Sequence, residues 1–166
     1  MPAKIAHTPL LAPGRHYMTL TELRRATVDA FPDSTRRPML FAELARLHSD
    51  LIGAGAICEL WIDGSYLTAK PEPDDIDLCF SAFSDDFRLL HQQVQMQIWH
   101  SLDGGKQYSP YLDTYVCFRF LRGDPRVNAD TTDYWSEKWG VGWDSFLTGF
   151  VVLKLGETDV GLKLLA

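Results

Sequence analysis

Residues 60–78, with the sequence LWIDGSYLTAKPEPDDIDL, form the most informative segment of the chain. An apolar run ends at the pair Gly64 and Ser65, and a second apolar run begins at the acidic pair Asp75 and Asp77. Short apolar runs bounded by turn residues are typical of buried β-strands. The segment therefore predicts two strands, joined by a connection with polar side chains at both ends.

Three aspartates give this region its chemical interest. Residues two apart on a strand point to the same face, so Asp75 and Asp77 can present carboxylates side by side while Ile76 enters the core. Asp113 lies in another predicted strand, 111–120, and completes a three-carboxylate cluster if that strand pairs beside the second one. Neighbouring carboxylates repel unless a cation lies between them, and hard oxygen ligands suit Mg²⁺. The alternative for each aspartate taken alone is a solvated or capping side chain.

The Gly64 and Ser65 pair allows two interpretations. If Ser65 opens a short helix that runs to Lys70, backbone amides face an anion and glycine lets the backbone approach it closely. If instead Asp63-Gly64 forms a hairpin turn, the residues that follow are a returning strand. The sequence leaves both open.

The remaining residues predict a scaffold. Residues 1–18, which are rich in proline, predict an extended arm. Capping signals and apolar periodicity predict the following elements: helices at 20–31, from a cap at 33–35 to 52, and at 84–100; strands at 56–63, 76–80, 111–120 and 149–155; a loop at 103–110. This order predicts a single α+β domain.

Composition sets limits on function. The net charge of −6 argues against broad DNA or RNA binding, because nonspecific affinity comes mainly from Lys and Arg facing phosphates. No segment approaches the length of a membrane span and no signal-peptide pattern is visible, so we expect a cytoplasmic protein. Cys58, Cys79 and Cys117 show no metal-binding spacing, and we expect buried thiols.

Two groups of side chains have alternative roles. Solvated helix faces are favoured over an RNA-binding stripe for Arg24, Arg25, Arg36, Arg37 and Arg46. Core packing is favoured over a stacking surface for the cluster Trp135, Trp139 and Trp143.

The glycine-serine pair, the Asp-Ile-Asp triplet and the later strand-borne aspartate together resemble the signature of DNA polymerase β-like nucleotidyltransferases, in particular the minimal bacterial members. LWIDGS, the Lys-Pro segment, DIDL and the closing strand also resemble an uncharacterised bacterial family of nucleotidyltransferase-like proteins. The resemblance implies a mixed, mostly antiparallel sheet flanked by helices, with residues 19–166 as the minimal nucleotidyltransferase-like domain.

The resemblance also implies roles for individual residues. Gly64 and Ser65 hold the triphosphate of a nucleoside triphosphate, with ATP expected, and Lys70 reaches phosphate. Asp75 and Asp77 ligate two Mg²⁺ ions. Asp113 binds one of these ions and helps to deprotonate the attacking hydroxyl. Family members often carry Arg-Gly or Lys-Gly after the Gly-Ser pair, whereas this chain has Lys70 followed by proline, which puts the shape of the loop and its choice of nucleotide in question.

The implied function is transfer of a nucleoside monophosphate to a hydroxyl of a protein or tRNA acceptor, within a toxin–antitoxin or defence pair. The alternative is a non-catalytic binding module of the same fold, which docks on a cognate toxin or antitoxin partner. A third interpretation is a structural α+β domain with coincidental acidic residues.

Overall fold

Six strands form one sheet in the part of the chain that the computed structural model describes, residues 7–121, 124–126 and 148–156. The strands are β1 Gly14–Tyr17, β2 Cys58–Asp63, β3 Ile76–Phe83, β4 Gly105–Ser109, β5 Leu112–Arg119 and β6 Gly149–Leu155. Their order across the sheet is β1-β6-β2-β3-β5-β4. The pairs β1–β6 and β3–β5 are parallel, and the other neighbours are antiparallel. The predicted α+β class with a mixed, mostly antiparallel sheet is therefore confirmed.

The helices lie between the strands along the chain. They are α1 Leu20–Arg24, continued by a π-helical segment Arg25–Asp29, then α2 Arg36–Gly53, a 3₁₀ helix Gly64–Leu67, α3 Ser84–Leu89 and α4 Gln92–Leu102. The predicted capping box at α1 is present: the Glu22 amide donates to Thr19 Oγ1 at 3.2 Å, and the Thr19 amide donates to Glu22 Oε2 at 2.7 Å. These reciprocal bonds satisfy two backbone donors at the helix start.

The main core lies between the helices and one face of the sheet. The predicted apolar stripe of α2, Leu40, Leu44, Leu47 and Leu51, is buried. It packs in one cluster with alternate strand residues such as Leu60, Ile76 and Val116, and with Ile98 of α4. The odd-numbered residues of β2, β3 and β5 lie on the opposite face, because side chains alternate along a strand. That second face carries a separate cluster, which includes Trp61 and Cys79.

Three elements differ from the prediction. Residues 14–17 of the predicted arm form β1, which pairs with β6. The predicted loop at 103–110 contains β4, because the glycines that indicate a loop also allow an irregular edge strand. The predicted helix at 84–100 is broken at Leu90 and His91, where the His91 side chain accepts a hydrogen bond from the Gln93 amide at 3.3 Å and caps α4.

Other predictions concern single side chains. All three cysteines are buried, as expected. Arg37, predicted on a solvated helix face, is instead fully buried. The predicted Trp135, Trp139 and Trp143 cluster lies outside the described residues. Within the described ranges, the structure contains no helix that is both long enough and apolar enough to cross a membrane.

Candidate metal and nucleotide site

Three aspartates occupy adjacent positions across the middle of the sheet. Asp63, the last residue of β2, pairs in register with Asp77 of β3. Asp77 pairs in turn with Asp113 of β5. Residues in register on neighbouring strands share a face and lie roughly 5 Å apart. Asp63, Asp77 and Asp113 therefore form a carboxylate row on the face opposite the main core.

Gly64 follows Asp63 and lies directly beside Asp77. Its backbone has a φ of +80°, which side chains other than glycine rarely adopt. A Cβ added at this position would overlap the Asp77 carboxylate and lie 2.8 Å from its Cγ. The structure thus requires glycine here both for backbone conformation and for close approach to an acidic side chain.

Gly64 and the three residues after it form the 3₁₀ helix, so the hairpin interpretation is wrong, and the predicted short helix ends at Leu67 rather than at Lys70. The Ser65 carbonyl accepts hydrogen bonds from the Thr68 amide at 3.2 Å and from Thr68 Oγ1 at 2.8 Å, which closes the turn. The helix has four residues, too few for a sizeable helix dipole. A phosphate contact at Ser65 would therefore depend on its own amide and hydroxyl, and this role stays a prediction.

Arg37 of α2 fixes the connection that follows. Its Nη1 donates to the Thr27 and Tyr66 carbonyls, each at 3.0 Å, and its Nη2 donates to the Thr68 and Lys70 carbonyls, each at 2.7 Å. The guanidinium also lies 3.7 Å from the centre of the Phe31 ring. Burial lowers the pKa of Arg37, and the charges of nearby groups oppose this shift. A buried arginine thus holds residues 66–70 in place through backbone contacts, which no local sequence pattern predicts.

Lys70 lies further along this connection, in an ion pair. Its Nζ is 2.6 Å from Asp74 Oδ2, and its side chain is 28% exposed. Among the described residues, its ammonium group contacts Asp74 rather than the carboxylate row. The predicted phosphate contact of Lys70 would require the ammonium to leave Asp74, and it stays a prediction.

Asp75 lies one residue before β3 and binds a cationic side chain. Lys106 Nζ of β4 is 2.7 Å from Asp75 Oδ2. The pKa of Lys106 is raised, first by its hydrogen bond to Asp75 and then by the charges of Asp75, Asp113 and Asp77, while partial burial opposes the shift. The negative charges of all three predicted catalytic aspartates therefore favour the protonated form of the Lys106 side chain.

Asp113 has a polar neighbour on its own strand. The Tyr115 hydroxyl donates to Asp113 Oδ2 at 3.4 Å. Burial raises the pKa of Tyr115, and the charges of Asp113 and Asp77 raise it further. Tyr115 thus keeps its proton and can orient the Asp113 carboxylate.

The fit of these residues to Mg²⁺ can be tested on their chemistry and placement. Across the described ranges, no three His, Cys, Asp or Glu side chains converge so as to hold one metal ion. The carboxylate row nevertheless offers hard oxygen donors in adjacent register positions, and Gly64 leaves the space beside Asp77 clear of a side chain. The donor type suits Mg²⁺, and the backbone places the three carboxylates of the row on one face of the sheet.

Sequence reasoning missed two charged members of the site. Asp63 is the last residue of a predicted strand, and its place in the row depends on strand register, which the sequence does not show. Lys106 follows Gly104 and Gly105, which favoured a loop. A signal for Asp63 existed, since an acidic residue directly before the Gly-Ser pair ends a buried strand.

Comparison with known proteins gives a family but no activity. No curated protein and no solved structure matches the chain. A family model described as "Family of unknown function (DUF6932)" matches residues 3–154, which is most of the chain. The chain therefore belongs to the family of unknown function DUF6932.

Proposed function

We propose that this protein is a Mg²⁺-dependent nucleotidyltransferase, which moves a nucleoside monophosphate from a nucleoside triphosphate, with ATP preferred, to a hydroxyl of a protein or RNA acceptor. The observation that carries the proposal is the register Asp63–Asp77–Asp113, with Gly64 packed directly against Asp77. Acidic oxygens suited to metal are thereby adjacent to Gly64, the first residue of the proposed phosphate-binding turn.

We assign the residues the roles that the resemblance to nucleotidyltransferases implies. Asp75, Asp77 and Asp113 would hold two Mg²⁺ ions, and Asp63, which is in register with Asp77, would be a further oxygen donor. Gly64 and Ser65 bind the triphosphate, with Lys70 as a further phosphate contact. When bound, the ions would supply Lewis-acid stabilisation of charge on the attacking and leaving oxygens.

The reaction balances as an in-line displacement. The acceptor hydroxyl oxygen forms a bond to the α-phosphorus, the bond from that phosphorus to the pyrophosphate oxygen breaks, and pyrophosphate leaves. Asp113 takes the hydroxyl proton, and Tyr115 orients this carboxylate. The proposed acceptor, and a place in a toxin–antitoxin or defence pair, rest on fold-level analogy.

Calorimetric titration with ATP, GTP, CTP and UTP in the presence of Mg²⁺ tests the proposal. We expect the wild type to bind at least one nucleotide in a Mg²⁺-dependent manner. The double variant Asp75→Asn/Asp77→Asn should lose this binding, because two carboxylate charges are removed from the metal ligands.

A matched control is Asp29→Asn/Asp85→Asn, which removes the same charge from exposed ion pairs outside the site. Such surface pairs contribute little to stability, so the control should bind as the wild type does. Equal loss of binding in both double variants would assign the effect to net charge and would contradict the site.

A second candidate is a non-catalytic binding module of the same fold, which docks on a partner protein. The ion pair between Lys106 and Asp75 favours it, since this carboxylate already has a protein cation. Absence of binding to all four nucleotides would select this candidate over the enzyme. Binding that requires Mg²⁺ would remove the reason for it.

A further inference from the structure

The ion pair between Lys106 and Asp75 has no role in the proposed reaction, although it lies within the site. The two charged groups are 2.7 Å apart, and their side chains are 44% and 24% exposed, respectively. An ammonium that simply avoided burial could turn to solvent from this position. Its contact with Asp75 therefore reflects attraction by the acidic surroundings.

The fold determines how Lys106 reaches Asp75. Gly104 and Gly105, with φ values of +91° and +90°, turn the chain into β4. Thr114 of β5 fixes this turn, because its carbonyl accepts from the Gly104 amide at 3.2 Å and its hydroxyl donates to the Gly105 carbonyl at 3.0 Å. The position of Lys106 is thus set by hydrogen bonds between the turn and Thr114, on the strand that carries Asp113.

The strand order adds a second constraint. β5 lies between β4 and β3, so the Lys106 side chain must extend across β5 to reach a residue next to β3. This path takes the ammonium into the field of Asp113 and Asp77 as well as Asp75. A cation from the protein therefore lies where the proposed function requires divalent cations.

We propose that Lys106 is the internal counter-ion of this site and that a divalent cation must displace it from Asp75 in order to bind. The inference rests on the proposed function and adds a determinant of metal affinity to it. An ammonium and a metal ion repel each other and compete for the same carboxylate oxygens. Lys106 thus stabilises the carboxylates without metal and weakens the binding of metal alone, while triphosphate oxygens can receive the displaced ammonium.

Titration with Mn²⁺ alone tests the inference without any activity assay. Electron paramagnetic resonance measures the concentration of the free ion at each step. Lys106→Gln should bind Mn²⁺ about tenfold more tightly than the wild type, because a competing positive charge is gone. Lys106→Arg keeps the charge and should keep the wild-type affinity. Lys154→Gln is the matched control, because it removes the same charge from an exposed residue of β6, away from Lys106 in the strand order. This variant should also keep the wild-type affinity for Mn²⁺.

The outcomes separate this inference from the proposed function. If the wild type binds Mn²⁺ and Lys106→Gln binds no more tightly, or Lys154→Gln gains as much, the counter-ion role is wrong while the metal site stands. If only Lys106→Gln binds, the counter-ion role holds, and the titration of the wild type with nucleotide and Mg²⁺ decides the proposed function. If neither the wild type nor Lys106→Gln binds Mn²⁺, both proposals fail.

Discussion

Gly64 is the residue at which the proposed site tolerates the least change. Its backbone lies in the left-handed region, where a Cβ costs roughly 1–2 kcal/mol in steric energy. The same Cβ would also occupy the space of the Asp77 carboxylate. The backbone conformation and the lack of space for a Cβ are independent reasons for glycine. A change that removed one of them would leave the other.

We predict that Gly64→Ala lowers the free energy of unfolding by about 1–3 kcal/mol and abolishes Mg²⁺-dependent nucleotide binding, because the methyl group displaces Asp77. Urea denaturation and calorimetry measure the two effects. The control is Gly53→Ala at the end of α2, where an added Cβ meets no described atom within 4 Å. Alanine there should leave stability unchanged or raise it slightly, since alanine favours helix. Nucleotide binding by Gly64→Ala at wild-type strength would contradict the assigned position of Asp77.

At the scale of elements, the start of α2 is capped from a distant part of the chain. The Thr35 side chain at the N-cap position makes no capping hydrogen bond. Glu72, from the connection before β3, instead accepts from the Thr35 amide at 3.0 Å, the Arg36 amide at 2.9 Å and Ser34 Oγ at 3.1 Å. The carboxylate satisfies helix-start donors and lies at the positive end of the helix dipole. One side chain therefore links α2 to the connection that carries Lys70.

These bonds make stability depend on the charge of Glu72. The backbone hydrogen bond from Thr35 contributes most to a lowered pKa, below the ordinary value of 4.5. The carboxylate thus stabilises the fold above that value, and the stabilisation is lost as the pH falls through the lower folded-state pKa. We predict that Glu72→Gln lowers the melting temperature at pH 7, and that the difference from the wild type shrinks as the pH falls below 4.5.

Thermal unfolding, monitored by circular dichroism at pH 7 and at a pH below 4.5, measures this difference. Asp33→Asn is the control, because Asp33 is an exposed acid near the same helix start and outside the Glu72 contacts. A general charge effect at the helix terminus would give the same pH dependence in both variants. A Glu72→Gln deficit of equal size at both pH values would show that its charge is irrelevant.

For the molecule as a whole, the N-terminal residues connect an edge of the sheet to the proposed site. β1 pairs with β6, while the Leu10 amide donates to the Leu67 carbonyl at 2.9 Å and the Ala69 amide donates to the Thr8 carbonyl at 2.8 Å. Gly149 permits this close packing, since a Cβ there would overlap the Ala12 carbonyl oxygen and approach Leu11 Cβ to 2.7 Å. The arm is thus part of the support for residues 66–70.

We predict that Gly149→Ala loosens the arm and speeds amide hydrogen exchange at Leu10 and Ala69, because the added methyl group separates residues 11–12 from β6. Mass spectrometry of exchanged peptides measures this effect, and amides in the middle of α2 provide an internal reference. Gly53→Ala should change neither region. Unchanged exchange at Leu10 and Ala69 would show that the arm adjusts to the larger side chain.

The sequence predicted those parts of the structure that local patterns determine. The bounds of β6 and the burial of Ile76 followed from apolar runs. The pairing of the strands that carry Asp77 and Asp113 was stated as the condition for a three-carboxylate cluster. The register partner of Asp63 was not predictable, since register arises from tertiary packing and turn geometry. The burial of Arg37 was also not predictable, because three of its four acceptor carbonyls lie about thirty residues away, and helix-face periodicity gives no indication of them.

The four carbonyl contacts of Arg37 have a consequence for the thermodynamics of ligand association. Ordering a loop during binding costs conformational entropy, typically on the order of 1 kcal/mol for each residue fixed. Residues 66–70 are already fixed by the contacts of Arg37, so a nucleotide that binds beside them need not supply this free energy. Association should accordingly show the small heat-capacity change of a preformed site, rather than the large negative one of coupled folding and binding.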